Sequence, residues 1–429
     1  RRVMLRRAAA TTLAILTAAC TPPAAATPKP APVAVTQMVM WDPSLDTVQT
    51  LVDTLLAEHA QGHPSFIVRY EHMQYDTIPS RALEAIAAGQ GPDVFMANSY
   101  AWPLLVDRRA VVDLEPTAFN VTSLAELEAL FVPGLLRRCR YQGRLCVYPT
   151  VVSSIIPMWL PDIFPEGFPR TWQGLIEASW HRIREQDLLS DTFHFDVGSA
   201  EALLSNLGPF VWQMGGEVIS PDGSQCLINR PESVAGVALL KRMVDEGVWK
   251  PHIQFSYDRM VAGLSGACYC GDWCLPHVDA MSEAQRTSKV QLAQVPVVAE
   301  QVNGVNYMVP AGYLVSANTK HVLECWRLIS WLCHEPRNAR RWLHQAAFFN
   351  GRLGSWVQEA QAMDPRLKVA HEALAWGTLG FMSPKFDECM SILVNAISDI
   401  MYNDNPIQAT LDNATVAVDA ILAGQGAGL

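Results

Sequence analysis

From residue 37 onward the hydrophobic residues change period at short intervals, and this alternation limits the fold more than any other feature of the chain. Residues 37–41 form a β-like run, and Leu45, Val48, Leu51, Val52, Leu55 and Leu56 then fall on one helical stripe. Residues 65–70 read as a strand, 78–88 as a helix and 93–97 as a strand again. Strands alternating with helices in this way imply an α/β fold whose mainly parallel sheet is covered on both faces. Sheets of this kind take ligands beyond the carboxyl ends of their strands, so the loops after Trp41 and after Ala97 are expected to form a site.

The pattern resumes further on. Residues 145–148 and 151–159 are extended, 171–247 mostly helical, and 290–298 and 305–316 strand-like. From residue 321 to the end the chain reads as helix, with one extended interruption near 381–384. About 390 residues follow Thr36, too many for one ordinary core and suited to two lobes. Cys139 and Cys146 flank what reads as a tight hairpin turn over residues 140–144, and the register of that turn decides whether they bridge.

The first twenty residues carry a different message. Arg1, Arg2, Arg6 and Arg7 precede an apolar run over residues 8–19, which ends in Thr17-Ala18-Ala19-Cys20. A basic head, a short hydrophobic stretch and small residues before a cleavage point read as an export signal rather than a membrane span. The cysteine in that position resembles a bacterial lipoprotein signal, which implies that Cys20 carries the lipid and that residues 1–19 are removed. Thr17 departs from the leucine usual in that pattern. Residues 20–36 are rich in Pro and Ala, a composition that cannot build a core and serves as an extended tether.

With the signal set aside, 28 basic residues face 42 acidic ones, a balance of −14. Such a balance argues against nucleic acid, which it repels, and against a polybasic membrane-binding surface, and leaves neutral or cationic small solutes open. The nine cysteines besides Cys20 are an odd number, so the chain is not a disulfide framework.

Several segments, taken in order, resemble the large extracellular solute-binding proteins that serve ABC importers, in particular those for carbohydrates and glycerophosphodiesters. They are Gly91-Pro92-Asp93-Val94-Phe95, Gly143-Arg144-Leu145-Cys146-Val147-Tyr148-Pro149 and Pro169-Arg170-Thr171-Trp172. Further along come Trp212-Gln213-Met214-Gly215-Gly216, Asp222-Gly223, Asn229 with Pro231-Glu232-Ser233, Gly271-Asp272-Trp273, and residues 312–320 beginning Gly312-Tyr313-Leu314. The resemblance runs from about Val39 to Gly424.

It implies a two-lobed, periplasmic-binding-protein-like α/β fold. The first lobe would comprise residues 37–149 and 313–350, the second 150–312 and 351–429. The lobes would be joined by crossing segments and close like a hinge around a solute. The implied protein is a lipid-anchored, extracytoplasmic receptor that acts as a monomer, partners ABC permease subunits, and needs no cofactor.

Sugars present apolar faces and a rim of hydroxyls, which aromatic planes and polar side chains satisfy together. The placement of the family's cleft selects Trp41, Tyr100, Trp102, Phe210, Trp212 and Trp273 as stacking platforms. Asp42, Asn98, Ser99 and Asp272 are expected as hydrogen-bonding partners, with Gly271 in the same turn, and Ser153 and Arg352 as further members. Each tryptophan also fits as a core filler. Trp180, Trp249, Trp326, Trp331 and Trp342 lie in helical patterns and are assigned to packing.

Cys268, Cys270, Cys274 and His277 do not follow a common zinc spacing, and buried thiols or a local disulfide explain them better. No phosphate-binding loop occurs, and neither H-E-x-x-H nor G-x-S-x-G is present. A secreted glycoside hydrolase is the competing class, since aromatic clefts serve those enzymes too. It requires two facing carboxylates, and no pair announces itself in the sequence. A binder of polyamines or another small solute remains as a third class.

Overall fold

The computed structural model describes residues 36–43, 46–185, 191–251, 257–299 and 304–424, all within the compact unit Thr36–Leu429. The expected signal, Cys20 and the tether through Val35 lie outside the described residues. Thr36, expected to end the tether, instead opens the first strand.

Eight strands follow in order: β1 (Thr36–Pro43), β2 (Phe66–Met73), β3 (Val94–Asn98), β4 (Val147–Trp159), β5 (Ala267–Cys270), β6 (Gln291–Leu292), β7 (Asn306–Val315) and β8 (Gly377–Thr378). The early helices are α1 (Asp46–Gly62), α2 (Ile78–Ala87), α3 (Trp102–Asp107), α4 (Leu124–Glu128) and α5 (Leu135–Arg138). Then come α6 (Trp172–Glu185), α7 (Ala200–Gln213), α8 (Pro231–Asp245), α9 (Tyr257–Val261) and α10 (Leu275–Gln285). The last are α11 (Val322–Ile329), α12 (Pro336–Ala346), α13 (Ser355–Met363), α14 (Pro365–Ala373), α15 (Phe386–Asn403) and α16 (Ile407–Leu422).

The strands run β2-β1-β3-β7-β4-β5, with β6 added on β4 and β8 on β7. β1 pairs in parallel with β2 and β3, as the early alternation predicts. The sheet is nonetheless mixed rather than mainly parallel, because β7 runs antiparallel to β3 and β4, and β4 antiparallel to β5 and β6. These two long strands join the two ends of the sheet. Residues 147–155 of β4 pair with β7, which lies beside β3, and its last four residues pair with β5. All ten residues of β7 are buried, as expected of a strand covered on both faces.

β4 and β7 meet at a singular point. Pro149 stands opposite Gly312, and Thr150 is the extra residue of a bulge before Val151 pairs with Ala311. Proline cannot donate to the ladder, which is why it sits at an irregularity in an interior strand. A Cβ on Gly312 would lie 2.1 Å from the Tyr148 carbonyl oxygen, so only glycine permits this approach.

Alternation within β1 has a direct consequence for the site. Met38, Met40 and Asp42 share the inward face and are all at most 1% exposed. The carboxylate of Asp42 is therefore carried into the core by the same period that buries two methionines.

The region expected to be mostly helical resolves into α6, α7 and α8. α7 starts at Ser199, whose hydroxyl accepts the Ala202 N–H (3.2 Å). Of the expected strand over 290–298, only β6 forms. The turn at Tyr141–Arg144 closes through two backbone hydrogen bonds of 3.0 Å, as expected. Cys139 and Cys146 remain free, with the Cys146 thiol directed at Asp113 (3.2 Å) instead. Cys270 and Cys274 are joined in a disulfide, and Cys268 packs on Met260.

Candidate functional site

Two cavities meet at the start of α7. The first, about 350 Å³, is walled on one side by Asp76 and Tyr100, which follow β2 and β3. On the other side stand Ser199, Glu201, Phe386 and Asp387, from the first turns of α7 and α15 or just before them. The Tyr100 and Phe386 rings stack at 5.1 Å with 14° between planes, bridging these walls. Behind them, the Asn98 side chain at the end of β3 faces the hydroxyls of both Tyr75 and Tyr100. Burial holds both phenols protonated.

The second cavity, about 270 Å³, is lined by Ile155 of β4, His194, Tyr257, Tyr269 and Trp273, and again by Ser199 and Glu201. Glu201 thus belongs to both. Burial, with the nearby Asp76 charge adding to it, pushes the Glu201 carboxyl up to about 7. Near neutral pH it is poised between accepting and donating hydrogen bonds, which suits a partner made of hydroxyls.

Trp273 follows a turn whose geometry its own ring dictates. The indole lies over Gly271, where a Cβ would fall 1.8 Å from the ring, so Gly271 is the seat of the platform. Between them, Asp272 points inward and is 1% exposed. Its Oδ1 accepts the Ser153 hydroxyl, while Oδ2 has no hydrogen-bond partner and lies 3.8 Å from His371 Nε2. Burial raises the Asp272 carboxyl to about 6 and lowers the His371 imidazole to about 4.

A third group surrounds Asp42. Its Oδ2 accepts from Tyr70 (2.7 Å) and Tyr313 (3.0 Å), and its Oδ1 is buried without a partner. Burial outweighs the two phenol hydrogen bonds and raises the carboxyl to about 7. Trp41, one residue earlier and on the opposite face, is half-buried and donates its indole N–H to Glu71 (2.7 Å).

Of the residues expected at the site, Tyr100 and Trp273 line the cavities, and Gly271, Asp272 and Ser153 support Trp273 from below. Asn98 and Ser99 sit at the mouth of β3, where the Ser99 N–H donates to Pro310 (3.0 Å). Trp212 is half-buried beside Tyr307 (6.5 Å between rings).

Other expectations are corrected. Trp102 is a core residue, 2% exposed, with its indole N–H donated to Ala97 O (3.1 Å). Phe210 is fully buried and stacks on Trp172 at 4.1 Å, so it holds α7 to α6 instead of facing a solute. Arg352 lies elsewhere: its backbone pairs with Phe131 and its guanidinium sits over Trp356 (5.2 Å). Trp249, Trp326 and Trp342 pack in the core as expected, but Trp180 is exposed.

Sequence reasoning missed Asp76, Tyr75, Glu201, Tyr257, Tyr269, Phe386 and Asp387. One signal was present: Phe386 and Asp387 directly follow the extended interruption near 381–384. Glu201 reads in sequence only as a first-turn acid favoured by the helix dipole.

Residues 51–368 match the family model of bacterial extracellular solute-binding proteins. No curated protein sequence matches the chain. Among solved structures, the chain is similar to the cyclic α-maltosyl-1,6-maltose binding protein of Arthrobacter globiformis. The TM-score is 0.77 at 16% identity, over 91% of this chain and 100% of that one. An ABC transporter solute-binding protein from Thermotoga lettingae, bound with α-D-tagatose, gives 0.76 at 15% identity over 90% and 100%. The sugar-binding protein MalE of Xanthomonas citri gives 0.77 at 14% over 91% and 98%. At these identities the likeness is one of fold.

Proposed function

The chain belongs to the bacterial extracellular solute-binding proteins, and on that premise we propose that it is the substrate-binding component of an ABC importer and that its solute is a carbohydrate. The observation that carries this reading is the cavity in which Tyr100, backed by the buried Phe386 ring it stacks on, forms an aromatic wall beside Ser199 and Glu201. Aromatic faces pack on the C–H surfaces of a sugar while hydroxyl and carboxyl groups take its rim. The Arthrobacter and Thermotoga proteins of the same fold are described with a cyclic maltosyl-maltose and with tagatose.

In this reading the first lobe is 37–149 with 313–350 and the second 150–312 with 351–429. The bulge at Pro149 and the tight approach at Gly312 lie at the proposed boundaries. The lobes close by hinge bending about β4 and β7. The protein binds and releases its solute without breaking bonds. Export and lipidation at Cys20 hold it outside the cell near its permease subunits, and the Pro/Ala tether leaves it free to reorient.

The test is a thermal-shift and calorimetric screen over mono- and oligosaccharides, glycerophosphodiesters and polyamines. A carbohydrate that binds raises the melting temperature with concentration, by about 2.7 kcal/mol of stability at a hundredfold excess over Kd. The same sugar must be recovered uncleaved. A polyamine is the second reading, since Asp76, Glu201 and Asp387 place three carboxyl groups around the first cavity. Stabilisation by spermidine with none by any sugar would replace the carbohydrate reading.

A further inference from the structure

Two buried polar atoms behind the Trp273 turn lack partners and face one another. Asp272 Oδ2 and His371 Nε2 lie 3.8 Å apart, and neither atom makes a hydrogen bond. That gap is too long for a bond, and a buried polar group left unpaired costs stability. We propose that His371 is a positioning residue for solute binding: when a solute seats against Trp273, the His371 Nε2–H closes on Asp272 Oδ2 and holds the turn in its binding position. The proposal rests on reading the chain as a solute receptor, whatever the solute.

The surroundings of the imidazole fix which nitrogen carries its proton. The Gln361 amide nitrogen donates to His371 Nδ1 (3.0 Å), so Nδ1 accepts and the neutral ring carries its proton on Nε2, toward Asp272. Burial lowers the imidazole to about 4, which keeps it neutral at pH 7, while the Asp272 carboxyl, raised only to about 6, is mainly ionised there. A donor therefore faces an anion, and the bond between them, once formed, is charge-assisted.

The ring itself is held in place. Phe349 stacks on it at 4.2 Å between centroids, and the Phe349 carbonyl accepts the Val152 N–H (2.6 Å). α14 is fixed at both ends: the Arg366 guanidinium donates to both oxygens of Asp279 (2.8 and 2.6 Å), and the Asn306 side chain of β7 donates to the Ala373 carbonyl (2.9 Å). The partner that moves is thus the turn over residues 271–273, whose two ends the Cys270–Cys274 disulfide ties together. Trp273 lines the second cavity, whereas Asp272 is buried and does not. A solute pressing on the indole acts on Asp272 through one peptide unit, and travel of about 0.9 Å brings Oδ2 to an ordinary bond length. The bond and the bound solute favour the same position of the turn, so each strengthens the other.

The experiment uses the full chain with nitrogen-15 histidine, the His371 signals being assigned by their loss in His371→Gln. Maltose, maltotriose, tagatose, xylobiose and spermidine are titrated by calorimetry, and the tightest binder is carried into the spectra. The expected result is an Nε2–H tautomer in the free protein and a downfield move of that proton at saturation. His371→Phe keeps a ring against Phe349 but has no donor, and is expected to cut affinity about tenfold or more. His371→Gln restores an N–H and is expected to bind within about threefold of the wild type. In a Trp273→Ala background, His371→Phe is expected to change affinity by less than about threefold, because its effect travels through the indole. Circular dichroism confirms folding, and the wild-type spectra decide the matter where a variant does not fold. An Nδ1–H tautomer, an Nε2 signal unmoved at saturation, a His371→Phe variant that binds like the wild type, or a loss that persists in full without Trp273 overturns the proposal and leaves the receptor reading standing. No binding by any of these probes defeats the receptor reading, and the proposal with it.

Discussion

The hydroxyl of Ser153, in the long strand β4, donates to the carboxylate of Asp272, on the turn that carries Trp273. This bond ties an aromatic side chain of the second cavity to β4, so the position of the indole and the geometry of that strand are set together. Both residues are at most 2% exposed.

Ser153→Ala removes the side-chain donor to the buried Asp272 carboxyl, whose Oδ2 already lacks a partner. The expected cost is about 1–3 kcal/mol of stability, read by urea denaturation. Because the turn is loosened, solute affinity falls as well. A variant with wild-type stability and affinity would show the bond to be incidental.

Asp42 gives a pH dependence of known sign. Its folded-state carboxyl is raised from the ordinary range to about 7, so the unfolded chain ionises at lower pH than the folded one. The protonated form is the one the core prefers, and its contribution is fully present below about pH 4. It is lost as pH rises through 7. Asp42→Asn abolishes this loss. Its stability relative to wild type is expected to improve by a few kcal/mol between pH 4 and pH 8, at about 1.4 kcal/mol for each pH unit separating the two ionisations, as measured by denaturation at each pH. A difference that is flat across this range would contradict the burial of the charge.

Trp102 and Trp273 separate packing from binding. Trp102→Ala empties a fully packed site and is expected to lose about 3–5 kcal/mol of stability. Trp273→Ala is expected to fold with little loss and to weaken solute binding by about 2 kcal/mol, roughly thirtyfold in Kd. Calorimetry paired with melting distinguishes the two, and a reversal of their roles would sink the placement of both rings.

Gly312→Ala places a methyl group against the Tyr148 carbonyl at the crossing of β4 and β7. Relief requires backbone movement in one of the two crossing strands, so a loss of at least about 1–3 kcal/mol is expected. Differential scanning calorimetry of the variant measures it, and an unchanged melting temperature would refute the close approach.

The legibility of the site in the sequence was uneven for definite reasons. Asp42 was expected to meet the solute, yet strand parity puts a residue two after Met40 and four after Met38 on their buried face. Tyr100 was readable because it follows a buried strand in a loop beyond its carboxyl end. Trp102 looked equivalent, two positions on, yet it starts α3, and its indole turns back to the Ala97 carbonyl. Phe210 failed for a related reason, since an aromatic residue in a helix faces either a cleft or a neighbouring helix, and only packing with Trp172 decides which. The mixed direction of the sheet was hidden too, because period reveals that a segment is a strand but not which way its neighbour runs.

What the sequence alone determined is local and periodic: the alternation of strands and helices, the hairpin turn over residues 140–144, and the chain of short motifs that mark the family. Those features depend on residues a few positions apart, which φ/ψ preferences and side-chain spacing couple directly. Only the tertiary structure decided that Tyr100, Glu201, Phe386 and Trp273 surround adjoining cavities. Their segments are far apart along the chain and meet only because β7 and β4 join β3 to β5 in one sheet. Convergence of that kind is fixed by the packing of whole elements, which leaves no period in the sequence to read.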